Sequence, residues 1–383
     1  MSTKEYEDLI SVLPLSTVEY AFAYGSGALQ QNGENKSEKM IDFVLCTSDP
    51  VSFHKENIKK NSSHYSLLRC IGANTLAQFQ TRIAAHVYYN THVHIGNRRI
   101  KYGIISTEDL NRDLLDWRWL YVAGRLHKPV LDVSVFLPFS FMLIYHQLFW
   151  RSRHSGKLSS EPDFINLTLA YPGDTLFFYH DPVLLDLVKG KDRRPTAAIA
   201  SNVEENRRCA LQAALLLLPD SFDLEKLYQK IVSLSYTGDF RMYVGEDKDK
   251  IKKIVLGCME YLSEVYDPLL ASDSRLVVQN GSVLQDGSTA AIYHRLNLLP
   301  STVLERIQTN WNKRNKWQKD REEVLFSLAH RHDVTLHVEG AISSIVAPAA
   351  ISQTLKNAAS AGFSRSVMYS LAKLAKMVKS IGK

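Results

Sequence analysis

Tyr24-Gly25-Ser26-Gly27 follows directly on the run Glu19 to Tyr24 (EYAFAY), and Asp42 stands inside the next such run, Met40 to Cys46 (MIDFVLC). Both runs have the aromatic and branched content of short strands. A glycine-rich turn after a strand lets backbone N–H groups approach phosphate oxygens, and a serine hydroxyl adds a donor. A carboxylate on the adjacent strand can hold Mg2+ against the same phosphates. That is a triphosphate site in outline, built on an α/β sheet. By itself a Gly-Ser-Gly turn says little, because a tight turn needs glycine for steric reasons alone. Asp42 adds weight. It is flanked by Met40, Ile41, Phe43, Val44 and Leu45, where an unpaired charge would be costly. Burial against a Lys or Arg is one resolution, and a metal ion is the other.

Outward from this pair, Ile100 to Ser106 (IKYGIIS) reads as a further strand of the same sheet. Thr107-Glu108-Asp109 then opens an amphipathic helix expected to run to about Gly124, with Leu110, Leu114, Leu115, Trp117 and Leu120 at helical spacing. From about Pro195 the pattern turns helical: Asn206 to Leu218, Leu224 to Leu234, Lys248 to Val265 and Pro300 to Leu328. Val277 to Tyr293 and Val334 to Val338 could add short strands, which leaves a winged-helix arrangement open. The expected organisation is an α/β domain over 1–195, a mainly helical or winged-helix domain over 196–345, and a C-terminal amphipathic helix within 346–383.

Bulk properties exclude several classes. The chain has 383 residues, 45% hydrophobic and 22% charged, which is globular composition with length for two domains. The longest apolar stretch, Val133 to Trp150, is interrupted by Pro138, Ser140, His146 and Gln147. A spanning helix needs about 20 predominantly apolar residues, so this stretch reads as core. Cys46, Cys70, Cys209 and Cys258 are widely spaced without a CxxC pair, which points to reduced thiols and not to zinc. The N-terminus MSTKEYEDLI carries Glu5, Glu7 and Asp8, so no secretory signal or ordinary presequence is visible.

The net charge of +6 has one source. Ile351 to Lys383 contains Lys356, Arg365, Lys373, Lys376, Lys379 and Lys383 and no acid, leaving 40 Lys and Arg against 40 acids elsewhere. Phe363, Val367, Leu371, Leu374, Val378 and Ile381 recur every three or four residues, with Arg365, Lys373, Lys376 and Lys379 opposite. A basic amphipathic helix lies in a membrane interface or packs on protein. Each cation near an anionic surface contributes about 1 kcal/mol, so an anionic membrane is the expected partner, with docking on the chain's own core as the alternative. Its strong apolar face and sparse aromatics do not suit stacking on bases, and no nucleic acid is expected.

The Gly-Ser turn followed by a strand carboxylate resembles the nucleotidyltransferase superfamily, although that fold's second carboxylate would fall at Val44 and is missing. Further motifs stand in one order: YGSG, IDFVL, FHKEN (Phe53 to Asn57), HYS (His64 to Ser66), KYGIIS, DLLDW, AGRLHKPV (Ala123 to Val130) and SLSYTGDFRMYVGED (Ser233 to Asp247). Collinear motifs of this length resemble the mitochondrial-type CDP-diacylglycerol synthases, the translocator assembly and maintenance family. The likeness covers Val18 to Pro129, resumes near Asn206 and runs to Ile342 to Pro348 and the tail. Residues 133–195 do not match and read as an insertion.

The resemblance implies a nucleotidyltransferase fold and transfer of cytidylyl from CTP to phosphatidic acid, giving CDP-diacylglycerol and pyrophosphate for cardiolipin and phosphatidylglycerol synthesis. It implies Mg2+ as cofactor and a peripheral place on the matrix side of the mitochondrial inner membrane. The phosphate of phosphatidic acid has a second pKa near 6, so no strong general base is needed. A site rich in Mg2+, Lys and Arg is. The implied catalytic residues are Ser26, Asp42 and Asp239, with Asp42 and Asp239 on the metal. Nucleotide contacts are expected from Gly25, Ser26, Gly27, His64, Tyr65, Lys128, Tyr236 and Arg241. The membrane face is expected from Phe363, Arg365, Val367, Leu371, Lys373, Leu374, Lys376, Val378 and Lys379. Two residues keep alternatives open: Lys128 as an ordinary C-terminal helix cation, and Asp239 as the group that orients Arg241 or as a plain local ion pair with it in a loop. Two competing functions are a nucleotidyltransferase acting on nucleic acid and a non-catalytic, membrane-associated assembly factor. The missing carboxylate at Val44 gives the second some weight.

Overall fold

The computed structural model describes residues 3–28, 40–133, 164–168, 175–179, 196–243, 246–279 and 281–361. The expected strands form one mixed sheet of β1 (Val18–Tyr24), β2 (Ile41–Thr47), β3 (Tyr88–Ile95), β4 (Arg98–Ser106) and β5 (Leu131–Asp132), in the order β3-β4-β2-β1-β5. Only β2 and β4 run parallel. A parallel pair demands a long crossover, and α2 (Pro50–Lys60), α3 (Ala73–Arg82) and β3 supply it. Helix α1 (Thr3–Ile10) buries Tyr6, Leu9 and Ile10 on the same side of the sheet as that crossover.

Side chains alternate between the faces of a strand, and this sorts the molecule. Ile41, Phe43, Leu45, Ile100, Tyr102 and Ile104 pack with Phe53 of α2 and Leu76 of α3. Phe22, Val44, Cys46 and Ile105 face the other way, onto Leu110 and Leu114 of α4 (Thr107–Asp116). By the same alternation Asp42 and Lys101 belong to this second face. The apolar cluster there is continuous with the helical half of the chain, through Leu211, Ile231, Leu262 and Ile345.

The helix expected to reach Gly124 stops at Asp116. Trp117 takes a left-handed conformation (φ +53), and a separate short helix α5 (Ala123–Leu126) follows. Trp117 and Leu120 are buried as their spacing suggests, but they sit on a turn.

An antiparallel pair, β6 (Phe164–Thr168) and β7 (Thr175–Tyr179), stands apart from the main sheet. The helical half comprises α6 (Ala197–Leu216), α7 (Leu224–Ser233), α8 (Lys250–Gly257), α9 (Met259–Ser272), α10 (Thr289–Asn297), α11 (Ser301–Arg314), α12 (Arg321–Ala329) and α13 (Val334–Ala361). Among them lies a small antiparallel sheet of β8 (Ser221–Asp223), β9 (Leu276–Gln279) and β10 (Ser282–Gln285), in the order β8-β10-β9. Val334 to Val338, open as a strand in the sequence, is the first turn of α13. Val334, Val338, Ala341, Ile342, Ile345 and Ala349 are buried at helical spacing, which a two-residue period cannot satisfy.

Helix α13 is long and apolar enough to cross a bilayer by length and composition, yet that buried row docks it on the core. Its second half is also pinned. Gln353 accepts from the Ala85 N–H and donates to the Val87 carbonyl. Lys356, counted by sequence among the tail cations, is buried, and its Nζ donates to the carbonyls of Gln80 and Ile83, each at 2.8 Å. It therefore serves the C-terminal end of α3, where carbonyls lack helical partners. The membrane face expected from Phe363 to Lys379 lies outside the described residues, as does Val133 to Trp150 beyond its first residue.

Candidate nucleotide site

Strand β1 leaves the sheet at Tyr24, whose register partner on β2 is Asp42. Gly25 turns the chain with φ +77, and its carbonyl accepts from the Ala28 N–H at 3.1 Å. Side chains rarely adopt that φ, and a Cβ on Gly25 would stand 3.8 Å from Asp42 Oδ2. At Gly27 a Cβ would overlap the Met40 carbonyl. Both glycines thus have steric reasons: Gly25 lies against the carboxylate, and Gly27 against the backbone leading into β2. Ser26 lies between them, half-buried.

Asp42 faces Lys101 across the parallel register of β2 and β4. Lys101 Nζ is 3.2 Å from Asp42 Oδ1. This is an ion contact without good hydrogen-bond geometry, since Oδ1 is buried and has no hydrogen-bond partner. The charge in the apolar strand is therefore balanced by lysine.

Around this pair the chain gathers cations and phenols. Lys101 lies over the Tyr89 ring (4.4 Å to the centroid), and Arg125 lies over Tyr121 (4.0 Å) and Tyr24 (5.2 Å). Arg125 also donates to the Tyr121 carbonyl. Lys128 Nζ donates to Ser235 Oγ at 3.1 Å and sits 4.6 Å over Tyr236, which Lys250 flanks at 5.0 Å. Burial raises the Tyr121 phenol, but Arg125, Arg241 and Lys101 outweigh it and bring the pKa down to about 8. Burial likewise raises Tyr236, and Lys128, Lys250 and Arg125 bring it to about 8. Burial lowers the Lys128 ammonium. Five cations (Lys101, Arg125, Lys128, Arg241 and Lys250) thus meet three carboxylates, Asp42, Asp239 and Glu246. Tyr24 and Tyr89 each keep a buried hydroxyl without a well-formed hydrogen bond. A buried polar atom without a partner is the exception in proteins, and here two phenols stand in a net positive cluster suited to a polyanion.

Asp239 is buried, and both its oxygens are held by Arg241: Nε at 3.0 Å from each, and Nη2 at 2.6 Å from Oδ2. Oδ1 also accepts the Arg241 N–H, capping the short 3-10 turn Phe240–Met242. This is the geometry of an Asp239–Arg241 ion pair, in which the carboxylate fixes the direction of the guanidinium. No group of three His, Cys, Asp or Glu able to hold a metal occurs among the described residues, and Val44 is fully buried. Asp42, whose side chain is 26% exposed, is the carboxylate here that could join a magnesium ion, since Mg2+ commonly takes one or two carboxylates plus substrate phosphates and water.

The structure brings together Gly25, Ser26, Gly27, Asp42, Lys128, Tyr236, Asp239 and Arg241. It sends His64 and Tyr65 to the opposite face of the sheet. Tyr65 is buried with its hydroxyl 2.9 Å from both His54 Nδ1 and Asn57 Nδ2. His64 Nδ1 is 2.9 Å from the Tyr102 hydroxyl, and His54 Nε2 meets Gln80 Oε1 at 2.8 Å. Burial drives His54 down to about 4, so it is neutral in this network. Sequence reasoning missed Lys101, Arg125, Tyr121 and Lys250. A signal for Lys101 existed: it is the one charge inside KYGIIS, as Asp42 is inside IDFVL.

The model of the mitochondrial phosphatidate cytidylyltransferase family matches residues 6–139 and 185–376. Three proteins of that name are similar to this chain. The one from Caenorhabditis briggsae is 54% identical over 98% of this chain and 99% of its own length. That from Caenorhabditis elegans is 52% identical over the same shares. That from Xenopus laevis is 35% identical over 98% of this chain and 95% of its own. A glycine turn at the end of β1, the Asp42 carboxylate and a cluster of cations thus stand in a chain matched over nearly its whole length, and the chain belongs to the mitochondrial phosphatidate cytidylyltransferase family.

Proposed function

We propose that this protein transfers cytidylyl from CTP to phosphatidic acid, forming CDP-diacylglycerol and pyrophosphate. The observation that carries the reading is the cation and phenol pocket beside Asp42, in a chain of this family. The triphosphate of CTP would lie against the Gly25-Ser26-Gly27 turn, with Lys101, Arg125 and Lys128 over its outer phosphates. The phosphate dianion of phosphatidic acid attacks the α-phosphorus. One P–O bond forms there, the P–O bond to the β-phosphate breaks, and pyrophosphate leaves with the electron pair. No proton has to be removed from the nucleophile.

The chain's task is to bring two polyanions together. Arg241, held in place by Asp239, is suited to the acceptor phosphate or the α-phosphate, and Tyr236 and Tyr121 donate hydrogen bonds while protonated. Magnesium, when bound through Asp42 and the nucleotide, supplies further charge neutralisation. The nucleotide roles of His64 and Tyr65 find no support in their position behind the sheet. We place the enzyme in mitochondria, peripheral on the matrix side of the inner membrane, with the basic tail as its contact to anionic lipid.

The test is to incubate the protein with labelled CTP, Mg2+ and either phosphatidic acid vesicles or RNA. CDP-diacylglycerol with the lipid is expected. Extended RNA, or no product, would overturn the reading in favour of a polynucleotide enzyme or a non-catalytic factor.

A further inference from the structure

Asp113, in the last turn of α4, is 1% exposed. Among the described residues it forms no ion pair. Its carboxylate accepts four backbone N–H groups instead: Oδ1 from Trp119 at 2.9 Å, and Oδ2 from Tyr121 at 3.0 Å, Val122 at 2.7 Å and Ala123 at 2.9 Å. Burial raises its pKa, and these bonds pull it back. A buried charge is costly unless its hydrogen bonds are made, so the arrangement holds the loop and the carboxylate at once.

That loop would not hold its shape unaided. Trp117 and Leu120 both stand at positive φ, +53 and +52, which is strained for bulky side chains. Helix α5 has four residues, too few to be stable alone, and Asp113 fills the otherwise unpaired N–H groups of Val122 and Ala123 where it begins. The same short segment carries Tyr121, Arg125 and Lys128. DLLDW and AGRLHKPV, separate motifs in the sequence, are thereby one device.

We propose that Asp113 is a positioning residue for the nucleotide: by holding the Trp119–Ala123 backbone it sets where the Arg125 guanidinium meets the triphosphate. This rests on CTP being the ligand of the pocket. Asp113→Asn keeps the shape and offers one carbonyl oxygen, so it serves either the three-donor side or Trp119, not both.

In the full chain, Asp113→Asn is expected to raise the CTP dissociation constant and the KM for CTP about ten-fold, leaving the KM for phosphatidic acid in vesicles unchanged. A double-mutant cycle with Arg125→Gln gives the decisive reading. If Asp113 acts through Arg125, adding Asp113→Asn to Arg125→Gln changes CTP affinity by less than about two-fold. Full additivity would overturn the proposal, and so would a lower melting temperature with unchanged CTP affinity, the mark of a purely structural role. Should Asp113→Asn not fold, Asp113→Glu keeps the charge, displaces it by one methylene and enters the same cycle. Wild-type protein that binds CTP yet makes no CDP-diacylglycerol would sink the reaction assigned above and leave this cycle intact as a test.

Discussion

At the residue scale, the site is an exchange of charges. Asp42 is balanced by Lys101, and in the proposed reaction both face the nucleotide. Lys101→Met removes one cation of the proposed phosphate site and leaves Asp42 without its counter-charge. CTP affinity measured by calorimetry is expected to fall about ten-fold or more. Asp42→Asn keeps the size of the side chain and removes the charge, and the expected outcome is loss of Mg2+-dependent CTP binding along with turnover. The phenols give a pH signature. Tyr121 and Tyr236, both near 8, are neutral donors below that value and anions above it. CTP affinity should therefore fall as pH rises through about 8. In Tyr236→Phe the fall should be shallower, because one of the two anions is gone.

At the element scale, the pocket depends on how closely α5 meets the turn after α7. Gly124 lies so near Ser235 that a Cβ would overlap the serine side chain, and Ser235 Oγ is the partner of Lys128. Gly124→Val should cost about 1–3 kcal/mol through overpacking, read by thermal denaturation, and should weaken CTP binding because Lys128 shifts with its partner. Helix α13 offers a second test. Burial pushes the Lys356 amine down to about 7, whereas an unfolded chain holds that proton to about 10.4. Between those values the unfolded state binds more protons, so stability rises with pH across the window. The Lys356→Met variant should show a flatter stability profile from pH 7 to 9 than the wild type.

At the scale of the whole molecule, the tail and the body are separable where α13 ends. Truncation after Ala361 removes only residues beyond the described helix. It should spare CTP binding while weakening sedimentation with vesicles rich in phosphatidic acid, and unchanged sedimentation would overturn the membrane role. Truncation before Gln353 also removes Gln353 and Lys356, which tie α13 to Ala85 and Val87 just ahead of β3 and to the end of α3, so it should lower the melting temperature as well. The strands around Gly25 and Asp42, the helical second half and the family were legible in the sequence, because local periodicity and collinear motifs survive without knowledge of the fold. Three things were not legible. The face on which His64 and Tyr65 lie follows from strand alternation summed across a whole sheet. The end of α4 at Asp116 follows from a carboxylate capturing N–H groups six to ten residues onward, against an apolar spacing that reads as continuous helix. The company of Lys101, Arg125 and Arg241 follows from the helical half packing onto the sheet. The sequence by itself determined the family, the strands and the glycine turn that precedes Asp42. Only the tertiary structure decided which charged residues meet, because charges far apart along the chain interact through distance and burial in space.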